Sequence, residues 1–267
     1  MSRLDALFEG RRGNGAALIG YATAGFPDLG TSLRIAAALL EHCDALELGI
    51  PFSDPVMDGP VIQESSRKAL EAGLRVGDVF DLAGELRAGT EKPLLIMTYY
   101  NPIHRLGHDR FAAEAARAGL DGALVPDLPP EEMAGWSQAA EGGGLSTVLF
   151  ASMTTPEKRL RLLGRLTRGF LYCLAVKGTT GSRESLSRGL DDFMARAREC
   201  CGVPLALGLG ISNPEQCRRA AELADAVVVG SALVKAAMEA LDAGDDPARR
   251  AGDLARELKS SLPRARR

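Results

Sequence analysis

The sequence predicts an α/β protein built as a single (β/α)8 TIM barrel with extra helices, and three observations carry that expectation. Eight short apolar runs recur along the 267 residues. Each gives way to a polar or Gly/Pro turn and then to a longer Ala/Leu/Arg/Glu stretch of helical period. No Pro/Gly/Ser linker or shift in composition divides the chain, so residues 1–267 are expected to form one domain. Length by itself suits two small domains as well as one barrel. The structural rival, a doubly wound open sheet, normally carries G-x-G-x-x-G after its first strand, whereas the corresponding segment here reads A-T-A-G-F-P-D.

The strand candidates are Ala17 to Ala24, Ala45 to Leu48, Leu94 to Thr98, Gly122 to Val125, Ser146 to Ala151, Phe170 to Ala175, Leu205 to Leu209 and Ala226 to Val229. Helical periodicity places helices near 31–42, 60–72, 110–118, 130–141, 156–167, 190–199, 213–223 and 231–242. Several open on a residue suited to a cap or first turn: Thr31 or Ser32, Pro60, Pro156, Asn213-Pro214 and Ser231. Stretches near 2–9 and 77–88 are helical additions to the repeat, and the tail from Asp245 forms a last helix before the basic end R-A-R-R.

Composition removes several classes of function. Thirty-two Lys+Arg against 35 Asp+Glu give a formal charge of -3, which supplies no basic field for nucleic acid or an anionic membrane. The start M-S-R-L-D-A-L-F-E-G-R-R lacks a long apolar core, and no later run reaches the roughly 18 apolar residues of a membrane span, so a cytoplasmic protein is expected. Five cysteines (Cys43, Cys173, Cys200, Cys201, Cys217) lack C-x-x-C spacing and read as reduced, packed side chains. His104 and His108 share i,i+4 spacing, but Gly107 interrupts the segment and no H-E-x-x-H pattern is present; no metal site is expected.

The stretch D-A-L-E-L-G-I-P-F-S-D-P-V-M-D-G holds the chemistry. Glu47 sits inside an apolar strand, where a carboxylate needs a salt-bridge partner or a chemical task. Alternation along the strand turns Leu46 and Leu48 toward the helix layer and Glu47 toward the barrel mouth, the end at which such barrels place catalytic groups. Asp54 and Asp58 follow in a loop stiffened by glycine and proline. A strand carboxylate and a loop carboxylate in different environments suit an acid/base group with a charge stabiliser, and desolvation raises the pKa of Glu47. On spacing alone, the alternative stands equally: Glu47 pairs with a Lys or Arg inside the barrel and the aspartates cap turns.

Three glycine-bearing turns follow the last three strands: K-G-T-T-G-S at 177–182, G-L-G-I-S-N at 208–213 and V-G-S-A at 229–232. Barrels often bind phosphate there through backbone N–H groups and a helix N-terminus, a role that suits Gly210, Gly230 and Ser231. No G-x-x-x-x-G-K-[ST] occurs, which argues against a nucleoside triphosphate.

L-E-L-G-I-P-F-S-D-P-V-M-D-G resembles the signature of the tryptophan synthase alpha chain family, and the likeness continues through G-Y-A-T-A-G-F-P-D, M-T-Y-Y-N-P, L-V-P-D-L-P-P-E-E, G-T-T-G, L-G-L-G-I-S-N-P-E-Q and V-V-V-G-S-A-L-V. The resemblance implies a (β/α)8 barrel that cleaves indole-3-glycerol phosphate to indole and glyceraldehyde 3-phosphate in tryptophan biosynthesis. It implies Glu47 as general acid/base and Asp58 as stabiliser of positive charge on the indole nitrogen. Tyr21, Tyr99, Tyr172 and Leu209 would line the indole pocket, and Gly181, Gly210, Gly230 and Ser231 would hold the phosphate. Thr180 matches a mobile-loop threonine that supports the aspartate, while Asp54 is expected to organise the loop or a partner contact. The resemblance further implies no cofactor on this chain, with pyridoxal phosphate on a beta chain partner in an alpha2-beta2 complex. A stand-alone lyase that releases free indole, or a silent paralogue that only activates a beta chain, are the alternatives. Met57 before the aspartate, Gly178-Thr179-Thr180-Gly181 where the family has G-V-T-G, and the preceding A-V-K depart from the family pattern, all on the two loops that close the site.

Overall fold

The computed structural model describes residues 2–9, 15–175, 189–208 and 210–263. Eight parallel strands, β1 (Ala17–Thr23), β2 (Ala45–Gly49), β3 (Leu94–Met97), β4 (Gly122–Leu124), β5 (Ser146–Ser152), β6 (Leu171–Leu174), β7 (Leu205–Gly208) and β8 (Ala226–Val229), close into a barrel in chain order. Parallel neighbours need crossover connections, and helices supply them. These are α2 (Leu29–His42), α3 (Pro60–Glu71), α4 (Val76–Ala88), α5 (Tyr100–Leu106), α6 (His108–Arg117), α7 (Ala134–Gly142), α8 (Glu157–Leu166), α9 (Leu190–Cys200), α10 (Pro214–Leu223) and α11 (Ser231–Asp242). Helix α1 (Arg3–Phe8) precedes the barrel and α12 (Pro247–Ser261) follows it.

Strand alternation divides the core into two bodies. Leu18, Leu46, Leu48, Leu94, Ile96, Leu171, Leu205, Leu207 and Val227 point outward into the layer between sheet and helices. Ala17, Ile19, Ala45, Leu95, Leu124, Val148, Ala206 and Val228 fill the barrel, with Leu4, Leu7 and Phe8 of α1 closing its lower end. Aliphatic side chains and α1 fill the lower interior, and aromatic and polar groups are left for the top. This is the layered filling expected of a barrel whose interior is a core and not a pore.

The lower end is fastened by one device used three times. An aspartate just before a strand accepts the N–H of the first or second residue of the preceding strand: Asp44 from Leu18, Asp121 from Leu94 and Asp225 from Leu205. Each aspartate also meets a cation from a helix, Lys259, Arg87 and Arg198 respectively. Each carboxylate thus satisfies strand-end donors that would otherwise be buried without partners.

Three differences from the expected element positions have a visible local cause. Helix α2 begins at Leu29, because Asp28 accepts from Thr31 N–H at 2.8 Å and caps the helix ahead of Thr31 or Ser32. Helix α7 begins at Ala134, four residues later than expected, since Pro129 and Pro130 enter a turn closed by Glu132 N–H to Pro129 O. Helix α5 was not anticipated: it has seven residues, contains Pro102 in its first turn, and is set off from α6 by Gly107 at φ +89°. The five cysteines are free thiols, four of them buried.

Candidate active site

Glu47 reaches the upper barrel interior because β2 alternates Ala45 and Glu47 inward against Leu46 and Leu48 outward. Its residue is 1% exposed, and its Oε1 has no hydrogen-bond partner among the described residues. No Lys or Arg pairs with it there either, so the ion-pair alternative is not what the described residues hold. Burial raises its pKa from 4.5 to about 8, because the low-dielectric interior penalises the anion. The carboxyl therefore carries a proton near neutral pH and sits within reach of an ionised state.

Tyr21 of β1 lies in register with Glu47, and Tyr172 of β6 stands across the same space. Both phenols are pushed upward, first by burial and then by the carboxylate charges near them. Two glycines make room for them. A Cβ at Gly49 would collide with Tyr21 Oη, and one at Gly208 would collide with Tyr172 Oη. Met97 and Phe150 belong to the same layer, with the Phe150 and Tyr172 rings 5.0 Å apart. The result is an aromatic-walled space with a protonatable carboxyl, suited to a flat apolar ring.

Asp58 hangs over this space from the loop between β2 and α3. It is half-buried, and burial raises its pKa while a hydrogen bond from Tyr99 opposes the rise. Tyr99 Oη donates to Asp58 Oδ2 at 3.1 Å and accepts from Met57 N–H at 2.9 Å. Phe52 stacks on the Tyr99 ring at 5.0 Å. Asp54 points to solvent and accepts from Ser53 Oγ at 2.6 Å, so it holds the loop locally and stands apart from the aromatic space.

On the far side, α11 starts at Ser231 behind Gly230, with no side-chain cap on its first N–H groups. A Cβ on Gly230 would lie 3.5 Å from Tyr21 Cβ, which puts this helix start beside the aromatic wall. Gly210 adopts φ +85°, the left-handed region that glycine enters without steric cost. Backbone donors and helix dipole together suit an anion.

Of the residues expected from sequence, Glu47, Tyr21, Tyr99, Tyr172, Asp58, Gly230 and Ser231 converge at the upper end of the barrel. Thr180, Gly181 and Leu209 lie outside the described residues. Sequence reasoning missed Phe52 and the room that Gly49 and Gly208 make for the two phenols. The signal for the glycines was faint but present, since L-E-L-G and L-G-L-G place a glycine where an inward side chain would be expected. Among the described residues no group of three or more His, Cys, Asp or Glu is arranged to hold a metal. No helix among them is long and apolar enough to cross a membrane.

The sequence matches the profile of the family described as tryptophan synthase alpha chain over residues 8–263. It is 43% identical to the tryptophan synthase alpha chain of Geobacter sulfurreducens over 237 residues, covering 88% of this chain and 90% of that one. It is 42% identical to that of Geotalea uraniireducens over 98% of both chains. Among solved structures, the alpha subunit from Legionella pneumophila superposes with a TM-score of 0.89 at 33% identity over 98% of both chains. A Mycobacterium tuberculosis tryptophan synthase structure gives 0.88 at 36% identity, over 97% of this chain and 98% of that one. A likeness that runs through all eight strands reflects common descent of the whole barrel, and the chain belongs to the tryptophan synthase alpha chain family.

Proposed function

We propose that Glu47 and Asp58 divide the work of the family's lyase half-reaction, the cleavage of indole-3-glycerol phosphate to indole and glyceraldehyde 3-phosphate, at the C-terminal ends of the strands of one barrel domain. The bond that breaks joins indole C3 to the glycerol chain. Protonated Glu47 delivers its proton to C3, which leaves an indolenine with positive charge at the ring nitrogen. Asp58 accepts the ring N–H and stabilises that charge. The Glu47 carboxylate so formed removes the proton from the hydroxyl next to C3. The O–H electrons become the aldehyde C=O, the C–C bond breaks, and its electron pair restores the indole ring. Glu47 ends protonated, as it began.

The observation that carries this reading is the buried Glu47 carboxyl with an unpartnered oxygen and a pKa of about 8, in register with Tyr21. A group that must both give and take a proton at neutral pH works best with such a value. Tyr21, Tyr99 and Tyr172 receive the indole, and Gly210, Gly230 and Ser231 receive the phosphate; Leu209, Thr180 and Gly181 keep the roles that the family resemblance implies. No cofactor is needed on this chain for proton transfer of this kind, and pyridoxal phosphate belongs to the beta chain with which the family assembles as alpha2-beta2. We place the chain in the cytoplasm with the rest of amino-acid biosynthesis. A stand-alone lyase and a silent paralogue are not favoured, since the relatives above are alpha chains. Steady-state indole formation, measured with and without a beta chain, tests the reading: cleavage stimulated by the partner is expected, and a well-folded chain with no cleavage in either condition refutes it.

A further inference from the structure

The hydroxyl of Tyr99 makes two hydrogen bonds, and both go to the loop that carries Asp58. We propose that Tyr99 is a positioning residue, whose hydroxyl aims the Asp58 carboxylate and keeps the β2–α3 loop folded before substrate arrives. The inference rests on the reading of Asp58 as the acceptor of the indole N–H and adds to it the group that sets its orientation.

Besides Tyr99, the one side chain from outside the loop that hydrogen-bonds its Asp58 end among the described residues is Gln63 of α3, whose Nε2 donates to the backbone Asp58 O at 2.9 Å and leaves the carboxylate untouched. Ser53, Asp54, Val56, Met57 and Gly59 are exposed, and the internal hydrogen bonds, Val56 N–H to Asp54 O and Asp58 N–H to Pro55 O, span only two or three residues. Tyr99, by contrast, is 4% exposed and firmly seated. Thr98 N–H donates to Leu124 O at 3.0 Å on one side, and Tyr100 N–H donates to Asp127 Oδ1 at 2.9 Å on the other. The stacked Phe52 ring fixes the start of the loop against the same tyrosine. A rigid group between β3 and α5 thus anchors a loop made mostly of local turns.

The direction of the hydrogen bonds follows from the donors. A backbone N–H can only donate, so Met57 occupies a lone pair of Tyr99 Oη and leaves the hydroxyl proton for Asp58 Oδ2. That is the only hydrogen bond to the Asp58 carboxylate among the described residues, and no cation there pairs with it. The ionisable groups around it are Tyr21 of β1, Tyr172 of β6, Glu47 of β2, Tyr99 itself, and Asp54 in the same loop. None of them is a cation, and among the described residues only the Tyr99 hydroxyl lies within hydrogen-bond distance of the carboxylate. Donation to the carboxylate favours its charged form, the form that accepts a ring N–H and balances an indolenine cation.

Tyr99→Phe removes the hydroxyl and keeps the ring that stacks on Phe52. With the full chain and a beta chain present, kcat for indole formation is expected to fall about tenfold, the loss expected for one hydrogen bond to a charged group, with KM within about twofold. The carboxyl carbon of Asp58, followed by 13C NMR and assigned by its disappearance in Asp58→Asn, is expected to titrate about one pH unit higher, and the acid limb of the rate profile should move with it. Placing 3-fluorotyrosine at position 99 keeps a hydroxyl of greater acidity and should restore both readouts. An unshifted Asp58 titration in Tyr99→Phe overturns the proposal, whether or not activity falls. A shifted titration with Asp58→Asn fully active supports the clamp and refutes the catalytic role of Asp58 instead.

Discussion

Replacing Glu47 by Gln separates chemistry from stability in a way the structure lets one quantify. The substitution keeps shape and removes the proton, so cleavage should fall by roughly 10²- to 10⁴-fold, the usual contribution of a general acid/base. The stability effect has the opposite sign and depends on pH. The Glu47 carboxyl has a pKa of about 8 when folded and about 4.5 in the unfolded chain. Below pH 4.5 it is protonated in both states. As pH rises beyond that value the unfolded chain ionises while the folded one stays neutral, so stability drains away until ionisation of the folded group near pH 8 ends the trend. At about 1.4 kcal/mol per pH unit, the window between those values corresponds to about 5 kcal/mol at most, with water penetration reducing it. Urea unfolding of wild type and Glu47→Gln between pH 5 and 9 should show the variant gaining on the wild type by about 3 to 5 kcal/mol as pH increases. Parallel stability curves would mean that the carboxyl is solvated or paired in solution, and the mechanism built on its raised pKa would fall with it.

Three further outcomes can be checked directly. Asp58→Asn should reduce turnover by more than about tenfold while leaving inhibition by glycerol 3-phosphate within about twofold, and equal losses in the two assays would contradict the separation of ring and phosphate subsites. Gly49→Ala puts a methyl into Tyr21 Oη; displacement of that ring should cost about 1 to 3 kcal/mol in thermal unfolding and raise KM, and a variant with unchanged KM would show that Tyr21 does not shape the pocket. Arg87→Ala leaves the buried Asp121 with one weaker cation, Arg3, beside its bond from Leu94 N–H at the lower end of the barrel; unfolding should be easier by about 2 to 4 kcal/mol with kcat unchanged, and a loss of kcat in the folded variant would contradict the separation of stability and catalysis between the two ends.

The repeat of eight strand-and-helix units was legible in the sequence because each strand is buried on both faces and reads as a short apolar run. Strand limits shift by only a residue or two, since ladders continue past the last formal strand residue, as Ala24 N–H to Gly49 O and Ala175 N–H to Gly208 O illustrate. The inward aim of Glu47 was equally legible, because alternation leaves a strand residue two choices and its leucine neighbours take one of them. Helix α5 was not legible: seven residues opening on Tyr-Asn-Pro form no convincing period, and the segment is held by Asp127, which comes from a different unit.

Sequence by itself determined the barrel and the family, and it singled out two carboxylates beside the barrel mouth, because hydrophobic period and motif are local properties of a chain. Whether Glu47 has a cation beside it, which oxygen of Asp58 is engaged, and that Tyr99 reaches across to the loop were decided only by the tertiary structure. Those facts concern residues from different strands whose separation in space depends on barrel closure and register, and burial, the main cause of the raised Glu47 pKa, exists only once the walls around it have come together.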